Sequence, residues 1–414
     1  MKKNLFIFAV SALLLGCTDL EDVQENKINQ QPLPLSSHVS KADALDIANK
    51  VLKKASNTRN SQEEPVFEYV LNENTTLTRY ATLPDTLAYV INYPNNEGFV
   101  IVSSDKRVYP VLGFSNKGTF AFDNEIAKVN FIDRIGDYIG NANATKLYDV
   151  QDEDWGGCYA VEPVVKTSLG QRAPWNKYVI KEHPNCPVGC VAVATALLLS
   201  HSMTELSYHG TTFYFKSIIE AINKQQTTDD YTDITDLYDD WNEIEQPTYT
   251  YEQAVDSMAK LLYYIGKDIK TDYKEKGSYA LYRNAYNLCK ELKGNIDIEY
   301  PTFNINDVSW LLKNNNIIFL QGSSHAWVSD GCYFCVSGGK DGITSGNPGV
   351  SVGGDSQNEE ILSTYIHCDW GWSGKCNGYY SGEVFETSYG DFIPSKYFAL
   401  KRDHKKNNGF TPKF

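Results

Sequence analysis

The stretch from Gly189 to His201 constrains this chain more than any other. A polar, turn-forming lead-in, His183-Pro184-Asn185-Cys186-Pro187, runs into Val188 and Gly189. One cysteine, Cys190, then opens an apolar run of helix formers through Leu199. A helix with no polar face must be buried on all sides. Its first turn carries a thiol beside unpaired N–H groups and the positive end of the helix dipole. Those groups favour a thiolate, and a cysteine so placed is a competent nucleophile near neutral pH. Free cysteines are also common small core residues, so the reading turns on what lies downstream.

Of the seven histidines, His325 has the best setting for a base. It follows an apolar strand pattern, Ile317 to Gln321, and a loop of small residues, and it opens the next strand. His201 lies at the far end of the Cys190 helix, too distant to reach the thiol. His183, in the loop before the cysteine, is the only rival by proximity. A third polar group must orient the imidazole through its other nitrogen. Asp369 is the candidate, with Trp370 or Trp372 excluding water from that contact.

The N-terminus reads as a targeting segment. A Met1-Lys2-Lys3 start, an apolar core from Leu5 to Leu15 and Gly16-Cys17 fit a secretory signal too short to span a bilayer. The ending resembles the bacterial lipoprotein box, which implies a signal over 1–17, lipidation of Cys17 and tethering by acyl chains at the cell envelope, outer-membrane lipoprotein or otherwise secreted. A polar tether covers 18–37. Residues 38–140 pattern as a small α+β domain: a Ser40-capped helix, four strand-like runs, turns at Asn95-Asn96 and Lys117-Gly118, and a helix over Glu125–Ile139. Residues 141–163 read as a polar linker, and 164–414 as the domain with the candidate chemistry. A net charge of −14 argues against nucleic acid as a partner. Nine cysteines are permitted disulfides outside the cytoplasm. With Cys17 and Cys190 set aside an odd number remains. Cys332-Tyr333-Phe334-Cys335 has a redox or zinc spacing, but it sits in a strand-like run where cysteines fill a core or pair elsewhere. No metal or cofactor is expected.

Four blocks carry a family resemblance: Gln171-Arg172-Ala173-Pro174-Trp175-Asn176, Gly189-Cys190-Val191-Ala192-Val193-Ala194, Ser324-His325-Ala326-Trp327-Val328-Ser329-Asp330-Gly331, and Asp369-Trp370-Gly371-Trp372-Ser373-Gly374. In order and separation they resemble the streptopain family of papain-like cysteine peptidases. The run from Gly98 to Ser115 is similar to that family's inhibitory propeptide. The resemblance implies an α+β, papain-like, two-lobed catalytic domain, helical half against antiparallel sheet half, preceded by the propeptide domain and activated by cutting in 141–163. It implies Cys190 as nucleophile, His325 as base, and substrate contacts at Ser278 and Ser324. The Cys190 amide is one oxyanion donor, with Gln321 or Gln171 as the other. The partners are protein or peptide substrates, the chain's own propeptide, and a membrane through the N-terminal lipid.

Three positions depart from the family pattern. Asp369 stands where the family usually has Asn; ionised, it holds an imidazolium more tightly and raises the His325 pKa, so Asn there shifts the basic limb of the pH–rate profile down. Ser324 replaces a common Gly and narrows the channel. Trp175 replaces Tyr. The competing readings are a catalytically silent papain-fold lipoprotein that binds peptides or host proteins, and a papain-fold transferase or amidase.

Overall fold

Ile317-Ile318-Phe319-Leu320 is apolar without alternation, the mark of a strand covered on both faces. That is its position in the computed structural model, described for residues 37–52, 64–74, 83–121, 125–142, 147–148, 158–226, 246–293, 296, 299–300, 302–322, 325–336, 361–385, 396–403 and 411–413. The signal, Cys17 and Ser324 lie outside these residues.

The first unit comprises α1 (Lys41–Val51), β1 (Val66–Leu71), β2 (Thr86–Asn92), β3 (Phe99–Ser103), β4 (Val111–Ser115) and α2 (Glu125–Gly140). Ser40 caps α1 as the sequence pattern predicts, and Asp43 bonds back to the Ser40 N–H to complete a reciprocal capping box. Asn95 and Asn96 take the left-handed conformation at the β2–β3 turn, which asparagine tolerates well. The fourth strand starts at Val111, later than the apolar pattern suggests, because Pro110 has no N–H to give a ladder.

The second unit follows as β5 (Cys158–Val161), α3 (Val179–Glu182), α4 (Cys190–Ser202), β6 (Glu205–Tyr208), β7 (Thr211–Tyr214), α5 (Phe215–Gln226), α6 (Tyr251–Asp268), α7 (Tyr282–Lys293), β8 (Glu299–Tyr300), α8 (Ile305–Lys313), β9 (Asn316–Gln321), β10 (Ala326–Val336), β11 (Ile361–Asp369), β12 (Gly378–Ser381), α9 (Gly382–Phe385), β13 (Lys396–Lys401) and β14 (Thr411–Lys413). Every α4 side chain after Cys190 is buried. That helix packs with α5, α6 and α7 against Ile317, Phe319, Ala326, Val328 and Phe398 on one sheet face. Ile318, Leu320, Trp327 and Cys332 bury the opposite face with α8, α9 and the first unit. This is a mixed helix and antiparallel-sheet fold with a helical lobe and a sheet lobe.

One antiparallel sheet joins both units in the order β1-β2-β3-β4-β12-β11-β10-β9-β13-β8, with β5 paired to β10 and β14 paired to β5. At the junction Gly113 faces Tyr380 and Phe114 faces Tyr379. A Cβ on Gly113 would lie 3.0 Å from the Tyr380 ring, so the strand contact uses a residue without a side chain.

One expectation changes. The polar segment 141–163 does not stay a linker to its end: β5 pairs with both β10 and β14, because Tyr159, Ala160 and Val161 supply strand-compatible residues after the polar run. In β10 Cys332 is buried in the core, and burial pushes its thiol pKa up to about 12. Among the described residues, no group of His, Cys, Asp and Glu could hold a metal ion, and no helix is long and apolar enough to cross a membrane.

Candidate active site

Gly189 precedes the cysteine helix with φ +97°, and a Cβ there would come within 3.2 Å of the Ser278 carbonyl. Glycine both permits that backbone and leaves room for Ser278 behind it. Cys190 is half-buried at the start of α4. Its sulfur is in reach of the Ala326 amide, one residue past His325, and of the Val191 amide. Burial pushes the thiol pKa up, against these N–H groups, which pull it down. The net direction is opposite to the thiolate expected from a helix N-terminus, because desolvation outweighs the dipole.

His325 is buried, and its ring lies 5.0 Å from Trp372 and 6.2 Å from both Trp327 and Trp370, centroid to centroid. Burial lowers its pKa to about 4, with the Trp370 carbonyl acting in the other direction. In the intact chain the thiol and the imidazole are therefore both biased toward their neutral forms, not toward the thiolate–imidazolium pair.

The imidazole is not held by Asp369. Its Nε2 lies 2.9 Å from the main-chain oxygen of Trp370. A carbonyl only accepts, so Nε2 carries the proton and the lone pair of a neutral ring falls on Nδ1. Asp369 instead accepts from the Gly371 N–H at 2.9 Å and bonds the Asn377 side chain. An Asp carboxylate readily closes on the amide two residues ahead, and the turn at Gly371, with φ +68°, brings that amide back to it. Burial lifts the Asp369 pKa to about 7, although the Gly371 N–H opposes this. The Trp370 carbonyl is a main-chain group, and no residue type marks it in a sequence.

The turn also docks the wall onto the helix. A Cβ on Gly371 would approach Val193 Cγ1 to 2.8 Å, and the Ser373 N–H donates to the Leu169 carbonyl at 2.8 Å. Trp370 Nε1 donates to the Cys376 carbonyl at 3.0 Å, and the Cys376 thiol faces the Ala121 carbonyl at 3.6 Å. The first unit thus reaches the back of the wall that carries the His325 acceptor. Gly371→Ala is expected to cost on the order of 1–3 kcal/mol, from backbone strain and the Val193 contact. Thermal unfolding in a Cys190→Ala background checks it; an unchanged midpoint means the turn is not confined.

The remaining candidates divide by position. The Gln171 carbonyl accepts the Val188 N–H at 2.8 Å, and its side chain is partly exposed. Gln321 is buried on β9, opposite Ala326 in the ladder. Ser278 is buried, donates to the Pro187 carbonyl at 2.7 Å and receives the Lys274 N–H at 3.4 Å. His183 stacks on Tyr273 at 4.5 Å. His201 pairs Nδ1 with the Leu197 carbonyl and accepts the Lys166 N–H on Nε2, and burial takes its pKa to about 4. Sequence reasoning missed one pair, a buried carboxylate with a partly buried imidazole. Asp330, at a bulge in β10, meets His367 Nδ1 at 2.6 Å and accepts the Val165 N–H at 2.7 Å. Burial alone would raise the Asp330 pKa, but His367 and that amide hold it below the usual carboxylate range.

A model of the Peptidase C10 family matches residues 169–380, and one described as Spi protease inhibitor matches 36–134. Streptopain of Streptococcus pyogenes is 25% identical over 337 residues, 72% of this chain and 75% of that protein. Streptopain of Streptococcus pyogenes serotype M1 aligns with the same figures, 25% identity over 337 residues, 72% and 75% of the two chains. A solved structure of a Prevotella intermedia prointerpain A fragment aligns with a TM-score of 0.46 and 19% identity, over 78% of this chain and 98% of the fragment.

Proposed function

Because the chain belongs to the Peptidase C10 family, and is a cysteine peptidase carrying an inhibitor-type propeptide ahead of its catalytic domain, we propose that it is a secreted, lipid-anchored zymogen endopeptidase working through Cys190 and His325. The observation that carries the dyad is the position of the Cys190 sulfur against the Ala326 amide, next in chain to His325. The Trp370 carbonyl fixes the tautomer that leaves Nδ1 basic.

In the proposed reaction His325 Nδ1 takes the Cys190 proton as the sulfur attacks the scissile carbonyl. The Cys190 amide and the Gln171 side chain receive the developing oxyanion. Gln171 is preferred to Gln321 because its backbone is tied to Val188, two residues before the nucleophile, and its side chain is not buried. His325 then protonates the leaving amine, and water releases the acyl group. Ser278 shapes the floor behind Gly189, and Ser324 is proposed as a substrate contact on the family resemblance. The first unit inhibits within the chain, and it is removed by cutting in 141–157, ahead of the paired strand β5. Cys17 carries the lipid that tethers the protein to the envelope.

Self-processing tests the zymogen. Intact mass followed over hours after purification should fall by the mass of the N-terminal domain, with the Cys190→Ala chain unchanged. A wild-type chain that stays whole under reducing conditions overturns this reading and leaves a peptide-binding lipoprotein.

A further inference from the structure

With Cys190 and Gln171 in the proposed roles, on which this rests, we infer that Arg172 is a positioning residue of the peptidase reaction: its guanidinium sets the spacing between the Gln171 segment and the nucleophile by holding two main-chain carbonyls. Three segments meet around the start of α4. The first is 171–176. The second is 183–189, the lead-in to Cys190. The third is the turn 272–279, which brings the Ser278 carbonyl to 3.2 Å from the place a Cβ would take on Gly189. Arg172 is exposed and belongs to the first segment, yet it bonds both of the others. Its Nη1 donates to the Asn185 carbonyl at 3.1 Å and its Nη2 to the Glu275 carbonyl at 2.9 Å. A guanidinium presents its donors in a planar, fixed fork, so meeting both carbonyls fixes the distance between their segments.

The surrounding bonds give that distance its meaning. Four successive residues ahead of Gly189 are each held from outside their segment. Arg172 donates to the Asn185 carbonyl, Asn176 Nδ2 to the Cys186 carbonyl at 3.0 Å and the Ser278 hydroxyl to the Pro187 carbonyl at 2.7 Å, and the Val188 N–H donates to the Gln171 carbonyl at 2.8 Å. The Asn176 and Gln171 bonds tie the first segment to the second. The His183–Tyr273 stack at 4.5 Å and the Ser278 bond tie the second to the third. The third is itself closed by reciprocal main-chain bonds between Asp272 and Tyr279, at 2.8 and 3.0 Å. Arg172 supplies the remaining side, from the first segment to the third. Three segments tied on all three sides cannot slide past one another, as two ties alone would allow.

The proposed oxyanion donors sit on two of these segments, the Gln171 side chain on the first and the Cys190 amide just past the second. Such donors act only when they are already in place where charge develops, and small displacements of positioned groups cost rate steeply. Arg172 therefore acts through Gln171, on the step in which the oxyanion forms, and not on the thiol or on substrate binding.

Steady-state hydrolysis of a peptide amide, with kcat taken per titrated Cys190 thiol in processed enzyme, tests this. Arg172→Ala should lower kcat about 10-fold with KM within about twofold of wild type. Arg172→Lys, with the charge but not the fork, should recover only part of the loss. Alkylation of Cys190 by iodoacetamide forms no oxyanion, so its rate should stay within about twofold of wild type in Arg172→Ala. Gln171→Ala should lower kcat more than Arg172→Ala does, and adding Arg172→Ala to it should cost less than a further twofold, about the coupling expected of groups acting as one unit. Lys177→Met, which removes a nearby exposed cation paired with Asp256 on α6, should leave kcat unchanged. An unchanged kcat in Arg172→Ala, a loss confined to KM, full recovery in Arg172→Lys, an alkylation rate that falls with kcat, an equal loss in Lys177→Met, or additive losses in the double variant each overturn the positioning role. Full activity in Gln171→Ala overturns the oxyanion assignment itself and this role with it, and that variant reports it separately from Arg172.

Discussion

Cys190→Ala is expected to abolish peptide hydrolysis, with kcat falling on the order of 10⁵–10⁶-fold, as when the nucleophile of a concerted catalytic unit is removed. The fold should survive, because the residue is half-buried and alanine is a good helix former at the start of α4. Loss of turnover without loss of the unfolding midpoint is therefore the expected pair of results. A thiol alkylator or an epoxide of the kind that labels papain-like enzymes should modify Cys190 in the processed wild-type enzyme and nothing at that position in the variant. A loss of less than about 10³-fold overturns the nucleophile assignment, since binding and the oxyanion donors alone leave only a small residue of catalysis over water. His325→Ala should lose activity to a similar degree, since two members of one unit are not additive. In the intact zymogen, labelling should be slow: burial raises the Cys190 thiol and lowers the imidazole to about 4, so little thiolate is present. Faster labelling after processing would show that removing the first unit changes the environment of the pair.

What the sequence made legible was whatever side-chain chemistry encodes locally. The capping Ser40, the paired asparagines at the β2–β3 turn, the all-apolar α4 and the double-sided Ile317–Leu320 strand each state their structure through propensity or period. Amphipathic patterns over Glu252–Ile265 and Ala280–Leu292 are readable in the sequence, and the helices Tyr251–Asp268 and Tyr282–Lys293 begin and end within three residues of them. Three features were not legible because they depend on backbone groups or distant pairing. The acceptor for His325 is a carbonyl, available at any residue. Asp369 has the right charge and place in sequence, yet the left-handed Gly371 folds its carboxylate back onto the local turn. The direction of the Cys190 shift reflects how much protein surrounds the sulfur, which helix position alone does not reveal. The pairing of β5 with β10 likewise joins segments far apart in sequence, and only Gly331 hints at the close approach.

Asp369→Asn is expected to stabilise the protein above neutral pH and leave the pH dependence of catalysis in place. The folded-state pKa of Asp369 is about 7, raised from 3.8 by burial. Between those values the folded chain binds the proton more tightly than the unfolded chain. The stabilisation belongs to the neutral acid; it is fully present below the unfolded pKa and is lost as pH rises through about 7. At about 1.4 kcal/mol per pKa unit, the cost of the buried charge at pH 8 is a few kcal/mol. Asparagine keeps an oxygen for the Gly371 N–H and carries no charge, so the variant should match wild type near pH 4 and exceed it progressively toward pH 8. His201 and His325 act with the opposite sign. Their folded values of about 4 lie below the unfolded 6.5, so their contribution is present above 6.5 and lost as pH falls toward 4, in wild type and variant alike. Chemical denaturation of the Cys190→Ala chain across pH 4–8, with and without Asp369→Asn, separates these effects. A variant less stable than its parent at pH 8 would mean the ionised carboxylate is well solvated or paired. The activity readout is independent: with the imidazole on the Trp370 carbonyl, the basic limb of the kcat/KM profile should not move. A downward shift of that limb on Asp369→Asn would put the carboxylate on His325 in the working enzyme.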